Sequence, residues 1–178
     1  MTDALWPAVF VDRDGTLMED CDYCSRPEQV RIFPGVPHAL RRLKSHGFKL
    51  IVITNQSGIG RGLFTIEQYR AVEGEVRRQL GGDLIDGSYF CPDVPGQHSN
   101  CRKPAPGMIL QAKREHRIAL PRSFFVGDKE TDVECGHNAG VRTIRVQTGF
   151  QQQTTGSKAD WIAKDLPAAA EIILETTP

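Results

Sequence analysis

No stretch of the chain is apolar for long enough to span a bilayer, and the opening MTDALWPAVF lacks the basic flank and extended apolar core of a secretory leader. These absences lead to the expectation of a cytoplasmic protein with no membrane partner. An excess of charge of one sign is missing too. The 22 basic and 22 acidic side chains cancel, so no global positive field draws in a polyanion, and a nucleic-acid partner is not expected. There is no internal repeat, and only Gln151–Ser157 reads as a low-complexity linker. Cysteines are few and odd in number: Cys21, Cys24, Cys91, Cys101 and Cys135. Without an export signal, that count favours thiols or metal ligands over a disulfide framework.

What is present is an ordinary globular mixture, 39% hydrophobic and 25% charged over 178 residues, enough for one domain spanning 1–178 around one sizeable core. Short apolar runs alternate with segments of helical period, the rhythm of βα units around a parallel sheet. AVFVD at 8–12, KLIVIT at 49–54, DGSYF at 86–90, SFFVGD at 123–128 and VRTIRV at 141–146 read as five strands. An amphipathic stretch around HALRRLKSHG stops at Gly47. Thr65 and Gln68 make a capping signal for a helix ending near Leu80. Helical pattern returns at Gly107–His116, at about Asp132–Ala139, and after Asp165-Leu166-Pro167. Trp6, Phe124 and Phe125 read as core, and His38, His46, His116 and His137 as surface or capping groups.

Polar residues gather at three strand ends, where open parallel sheets bind ligands. Asp12-Arg13-Asp14-Gly15-Thr16 follows an apolar strand, so two carboxylates two residues apart can face one pocket, one attacking or ligating and one moving protons. Thr54 to Gly62 (TNQSGIGRG) offers a hydroxyl, amides and backbone N–H groups suited to a phosphate. Cys101-Arg102-Lys103-Pro104 adds two adjacent cations, a fork and a point charge. Asp128, in GDKETD, completes an oxygen-rich set of the kind Mg²⁺ takes. Asp132 in the same run also reads as an acid favoured by a helix N-terminus.

These four clusters, in this order, resemble the motifs of the haloacid dehalogenase-like superfamily of phosphohydrolases, over about Ala8 to Val146. Within it, TNQSGIGRG, CRKPAPGM and the Cys91-Pro92 loop are most similar to the family of D-glycero-D-manno-heptose 1,7-bisphosphate phosphatases. The resemblance implies an α/β three-layer fold with a parallel sheet of order 5-4-1-2-3 and no large cap domain. It implies Asp12 as a nucleophile that becomes an aspartyl-phosphate and Asp14 as the acid and base. Thr54 and Asn55 would hold the transferring group, with Lys103 neutralising it. Mg²⁺ would sit on Asp12, the Asp14 carbonyl and Asp128. Arg61, Arg102 and Lys129 are then candidates for a second phosphate on a small sugar substrate, bound by a monomer.

One departure concerns zinc. Relatives with a structural Zn²⁺ carry C-x-H, a spacer and C-x-C, whereas this chain has Asp93 and Ser99 at two of those places. Cys91, Asp93, His98 and Cys101 remain as an alternative tetrahedral set, beside a zinc-free loop held by its own packing. Cys21-Asp22-Tyr23-Cys24 has C-x-x-C spacing but no second pair, and family members lack those cysteines. A histidinol-phosphate phosphatase and a polynucleotide 3′-phosphatase would use the same catalytic parts. A non-enzymatic phospho-ligand binder is disfavoured by the intact Asp12/Asp14 pair.

Overall fold

The computed structural model describes residues 5–150 and 154–177; Gln151–Gln153 of the expected linker lie outside the described residues. Six strands form one sheet in which every pair is parallel: β1 Ala8–Val11, β2 Lys49–Asn55, β3 Gly87–Cys91, β4 Phe124–Gly127, β5 Arg142–Val146 and β6 Trp161–Ala163. Their order is β3-β2-β1-β4-β5-β6. The five expected strands are present in the expected order. β6 extends that sheet at the β5 edge; at three residues it is too short for a periodic signal.

Both faces of the sheet are covered, which is why its strands read as continuous apolar runs. Residues alternate between two cores. Val9 and Val11 of β1 point to the side where α1 (Val36–Ser45), α3 (Ile66–Leu80) and α6 (Leu166–Glu175) pack, while Ala8 and Phe10 meet α4 (Gly107–His116) and α5 (Glu130–Ala139). The one-turn α2 (Ser57–Gly60) falls where a flexible loop is expected, its two glycines having hidden it. The Thr65 hydroxyl accepts from the Gln68 amide while the Gln68 side chain accepts from the Thr65 amide, starting α3. Asp165 caps α6 through the Ala168 amide.

Phe124 and Phe125 are core, as expected, but Trp6 is not: it stays 48% exposed, with the Lys49 ammonium 5.9 Å from its ring centre. It precedes β1 and so lies outside the sheet's covered faces.

Topology sets the site. The chain leaves β1 for β2 and β3 on one side, then returns to place β4 on the other. The crevice at the carboxyl ends of β1 and β4 is thereby opened at the point where the winding direction reverses.

Candidate active site

A cleft of about 330 Å³ opens over these strand ends, lined by Asp12, Asp14, Thr54, Asn55, Arg102, Lys103, Lys129 and Asp132, among others. Residues of all four sequence clusters meet there. Asp12 continues β1, its amide donating to the Val126 carbonyl of β4 at 3.0 Å. The Lys103 ammonium, 5% exposed, lies 2.6 Å from Asp12 Oδ1 and 2.6 Å from Asp132 Oδ1, and it donates to the Ile53 carbonyl at 3.1 Å. Burial opposes the lysine's charge, but the two carboxylates outweigh it and hold its pKa above the usual range.

The carboxylates face the opposite balance. Asp12, Asp128 and Asp132 each bring an oxygen to within 4.8 Å of the other two. Burial, with the charges of Asp132 and Asp128, pushes Asp12 well above the ordinary carboxylate range against the pull of Lys103. Burial and Asp132 together raise Asp128 to about 6. Among the described residues no hydrogen-bond donor reaches either of the two buried Asp128 oxygens. A side chain so placed costs free energy unless a cation or proton compensates it. Three converging carboxylates, one of them with both oxygens orphaned, are the hard donor set of a divalent cation such as Mg²⁺, and the residues fit that ion.

Backbone packs tightly over Asp128. A Cβ on Gly15 would lie 2.6 Å from Asp128 Oδ2, and one on Gly149 would lie 1.9 Å from it. Gly15 also holds φ at +85°, the left-handed region that suits glycine. The Thr148 hydroxyl donates to the Gly15 carbonyl at 2.6 Å and fixes the two segments together.

Asp14 is turned away from this cluster. Its carboxylate accepts from Arg13 Nε and Nη2, both at 3.1 Å, and from Gln56 Nε2 at 2.9 Å. Arg13 is fully buried, and although burial disfavours its charge, Asp14 keeps the guanidinium pKa raised. Gln56 donates as well to Thr54 Oγ1 at 2.8 Å, leaving the Thr54 hydroxyl free to give its own proton to an oxyanion. Asn55 is committed to the lysine: its Oδ1 accepts from the Lys103 amide at 3.0 Å and its Nδ2 donates to the Lys103 carbonyl at 3.3 Å.

Among the second-phosphate candidates, Arg102 and Lys129 line the cleft, with Lys129 Nζ 3.6 Å from Asp20 Oδ2. Arg61 is exposed at the end of α2 and does not line the cleft, although after burial its charge is what lowers the Arg102 pKa. Sequence reasoning missed the mouth residues Asp20, Asp22 and Tyr23, in a loop where attention went to the C-x-x-C spacing of Cys21 and Cys24, and Gln56, which lay inside a cluster read as a whole. Asp132 Oδ2 accepts from the Lys129 amide at the start of α5, as its helix N-terminal reading expects, while its Oδ1 pairs with Lys103, a contact the sequence did not indicate.

The alternative zinc set needs correction. His98 is exposed and outside the Cys91–Asp93–Cys101 cluster, because the Ser99 hydroxyl takes the inward place, 3.6 Å and 3.5 Å from the two sulfurs. Cys91 and Cys101 are joined as a disulfide, whereas Cys21, Cys24 and Cys135 are free. The thiols expected from cysteine count therefore hold for three of the five.

Comparison with known proteins places the chain in a family and confirms its fold. The HAD-hydrolase-like family model matches residues 100–169. A D-glycero-beta-D-manno-heptose-1,7-bisphosphate 7-phosphatase of Helicobacter pylori is 43% identical over 87% of this chain and 89% of its own length. One from Escherichia coli K12 is 39% identical over 92% and 93%. Among solved structures, the D,D-heptose 1.7-bisphosphate phosphatase from B. bronchiseptica, complexed with magnesium and phosphate, superposes with a TM-score of 0.88 at 32% identity, covering 95% of this chain and 98% of that one. The fold and site thus define a phosphatase of the HAD-like class. Within that class the chain belongs to the family of these heptose bisphosphate phosphatases.

Proposed function

We propose that the protein is a Mg²⁺-dependent phosphatase that removes one phosphate from D-glycero-D-manno-heptose 1,7-bisphosphate by way of an aspartyl-phosphate on Asp12. The observation that carries this reading is the meeting of Asp12, Asp128, Asp132 and Lys103 at one end of a cleft with Arg102 at its mouth. In the reaction, an Asp12 oxygen attacks phosphorus and the sugar oxygen departs in line. Asp14 swings from its Arg13 and Gln56 partners to protonate that oxygen, then takes a proton from the water that hydrolyses the acyl phosphate. Lys103 and the Thr54 hydroxyl hold the equatorial oxygens, and Asn55 keeps Lys103 in place by gripping its peptide. Asp12, the Asp14 carbonyl and Asp128 would hold Mg²⁺, which when bound neutralises charge on the carboxylates and the phosphoryl group. The same reading has residues 1–178 acting as a one-domain monomer in the cytoplasm.

Arg102, with Lys129 beside the cleft, takes the distal phosphate. Arg102→Ala is expected to lower kcat/KM roughly 10- to 100-fold on the sugar bisphosphate while changing turnover of a monophosphate far less, as loss of a charge-assisted fork requires. Phosphate release from a panel of sugar bisphosphates, sugar monophosphates, histidinol phosphate and 3′-phosphorylated oligonucleotides tests both points. Equal losses on mono- and bisphosphates would remove the distal role, and wild-type preference for a DNA end would replace the substrate.

The carboxylate cluster also makes stability depend on metal and pH. The folded Asp128 titrates at about 6, above the unfolded value near 3.9, so the folded state holds the extra proton. Stability of metal-free protein falls as pH rises through that window, by on the order of 2–3 kcal/mol, and Mg²⁺ restores it. Thermal melts should show a larger Mg²⁺-dependent rise at pH 7 than at pH 5; an equal rise at both would detach the ion from these carboxylates.

A further inference from the structure

The loop that delivers Arg102 and Lys103 hangs between two fixed points. At one end Cys91 closes β3, paired in register with Asn55 of β2, and its carbonyl accepts from the Gln56 amide at 2.7 Å. At the other end Lys103 is gripped by Asn55. Just beyond it, the Pro104 carbonyl accepts from Asn138 Nδ2 at 3.0 Å and the Ala105 carbonyl from the Cys135 thiol at 3.4 Å. Lys103 is therefore anchored on its downstream side by contacts that owe nothing to the loop. The Arg102 backbone shares that anchorage through its carbonyl, which accepts from the Ala105 amide at 2.8 Å, but its other contacts lie within the loop: its amide donates to Ser99 Oγ at 2.9 Å and its guanidinium Nη1 to the Asp93 carbonyl at 2.9 Å.

Zinc does not fit this loop. Structural zinc takes four ligands, almost always thiolate and imidazole. Here the inward groups are two sulfurs, the Asp93 carboxylate at 3.5 Å from Cys101 Sγ, and the Ser99 hydroxyl. A neutral hydroxyl already accepting from the Arg102 amide is a poor fourth donor, and the imidazole of His98 faces solvent.

We propose that in this chain a Cys91–Cys101 disulfide has taken over from zinc as the clasp of the 92–100 loop, and that its redox state sets the grip of Arg102 on substrate while leaving the chemistry at Asp12 and Lys103 in place. The substrate-affinity part rests on the distal-phosphate role given to Arg102; the identity of the clasp does not. Opening proceeds by thiol–disulfide exchange. A thiolate of a small dithiol attacks one sulfur and the other leaves as a thiolate. The second thiolate of the reagent then displaces the first cysteine, so the protein gains two thiols and the reagent becomes a cyclic disulfide. With the clasp open, Ser99 and Asp93 loosen from the strand end and the Arg102 guanidinium loses the carbonyl that orients it, while its backbone stays on the Ala105 amide.

Three measurements on the full chain test this. Purified without reductant or chelator, the protein should contain no stoichiometric zinc by elemental analysis. It should show three reactive thiols when denatured, and five after reduction. The tryptic peptide Gln79–Arg102 should be lighter by two hydrogen atoms until it is reduced. One equivalent of zinc with five thiols would overturn the clasp, as would five thiols with no metal at all. Kinetically, a dithiol should raise KM for the sugar bisphosphate about tenfold, with kcat kept within about twofold and no effect of a zinc chelator. Cys101→Ser should reproduce the reduced enzyme and no longer respond to dithiol. A fall in kcat with KM unchanged would overturn the separation between Arg102 and Lys103. Failure of the proposed substrate itself would appear as absent turnover with thiol count and zinc content unaffected.

Discussion

Asp12→Asn is expected to abolish Mg²⁺-dependent phosphate release, by roughly 10⁴-fold or more, while the protein stays folded. An amide of nearly the same shape keeps the strand end filled, but it is a poor nucleophile and cannot become an acyl phosphate. The structural cost is small for a specific reason. A charge on Asp12 is opposed by burial and by the charges of Asp132 and Asp128, so neutralising it relieves repulsion, and Lys103 still has Asp132 at 2.6 Å. The melting temperature of the metal-free variant should therefore match or exceed that of the wild type. Phosphate release and a thermal melt on the same preparation decide it, and retained turnover would end the covalent assignment to Asp12.

Lys103→Met should fail differently. The ammonium is the partner shared by Asp12 and Asp132, and its removal leaves two buried carboxylates facing each other and Asp128 with no opposing charge at their centre. Breaking a buried pair by deleting one member typically costs about 3–5 kcal/mol. Part of that is recoverable by protonation, so the loss should be largest at neutral pH and shrink towards pH 5. Activity should fall as well, on the order of 10²- to 10³-fold, because a donor aimed at the transferring oxygens is gone. Chemical denaturation at two pH values separates the effects. A variant as stable as the wild type at pH 7 would show that the carboxylates do not depend on this lysine.

Much of this architecture is legible in the residues, and the reasons are uneven. The five longer strands announce themselves because both sheet faces are covered, so each strand reads as an unbroken apolar run. Asp12 and Asp128 are legible because a carboxylate directly after a buried strand stands where a parallel sheet binds its ligands, and Lys103 because it belongs to a charged dipeptide in a long loop near the same edge. What escaped detection depends on three-dimensional neighbours. Nothing about Gln56 in TNQSGIGRG shows that it spans Thr54 and Asp14. Nor does the Thr54-Asn55 pair show that the Asn55 side chain holds the Lys103 peptide between the arms of its amide. His98 and Ser99 are adjacent and trade inward and outward places by one residue, which spacing alone cannot decide. Trp6 has a core residue's composition but lies before the sheet begins.

The close passage of Gly149 over Asp128 bears on where a functional motif ends. A methyl group at that glycine would occupy the carboxylate's own position, so even an alanine there would dislodge Asp128 without touching any charged residue. Gly149 stands well after the GDKETD run, past β5, in a segment with no chemistry of its own. The effective signature of the aspartate proposed to hold Mg²⁺ is thus split, half of it an acid that can be read from its surroundings and half a bare backbone position that only the fold brings back to it.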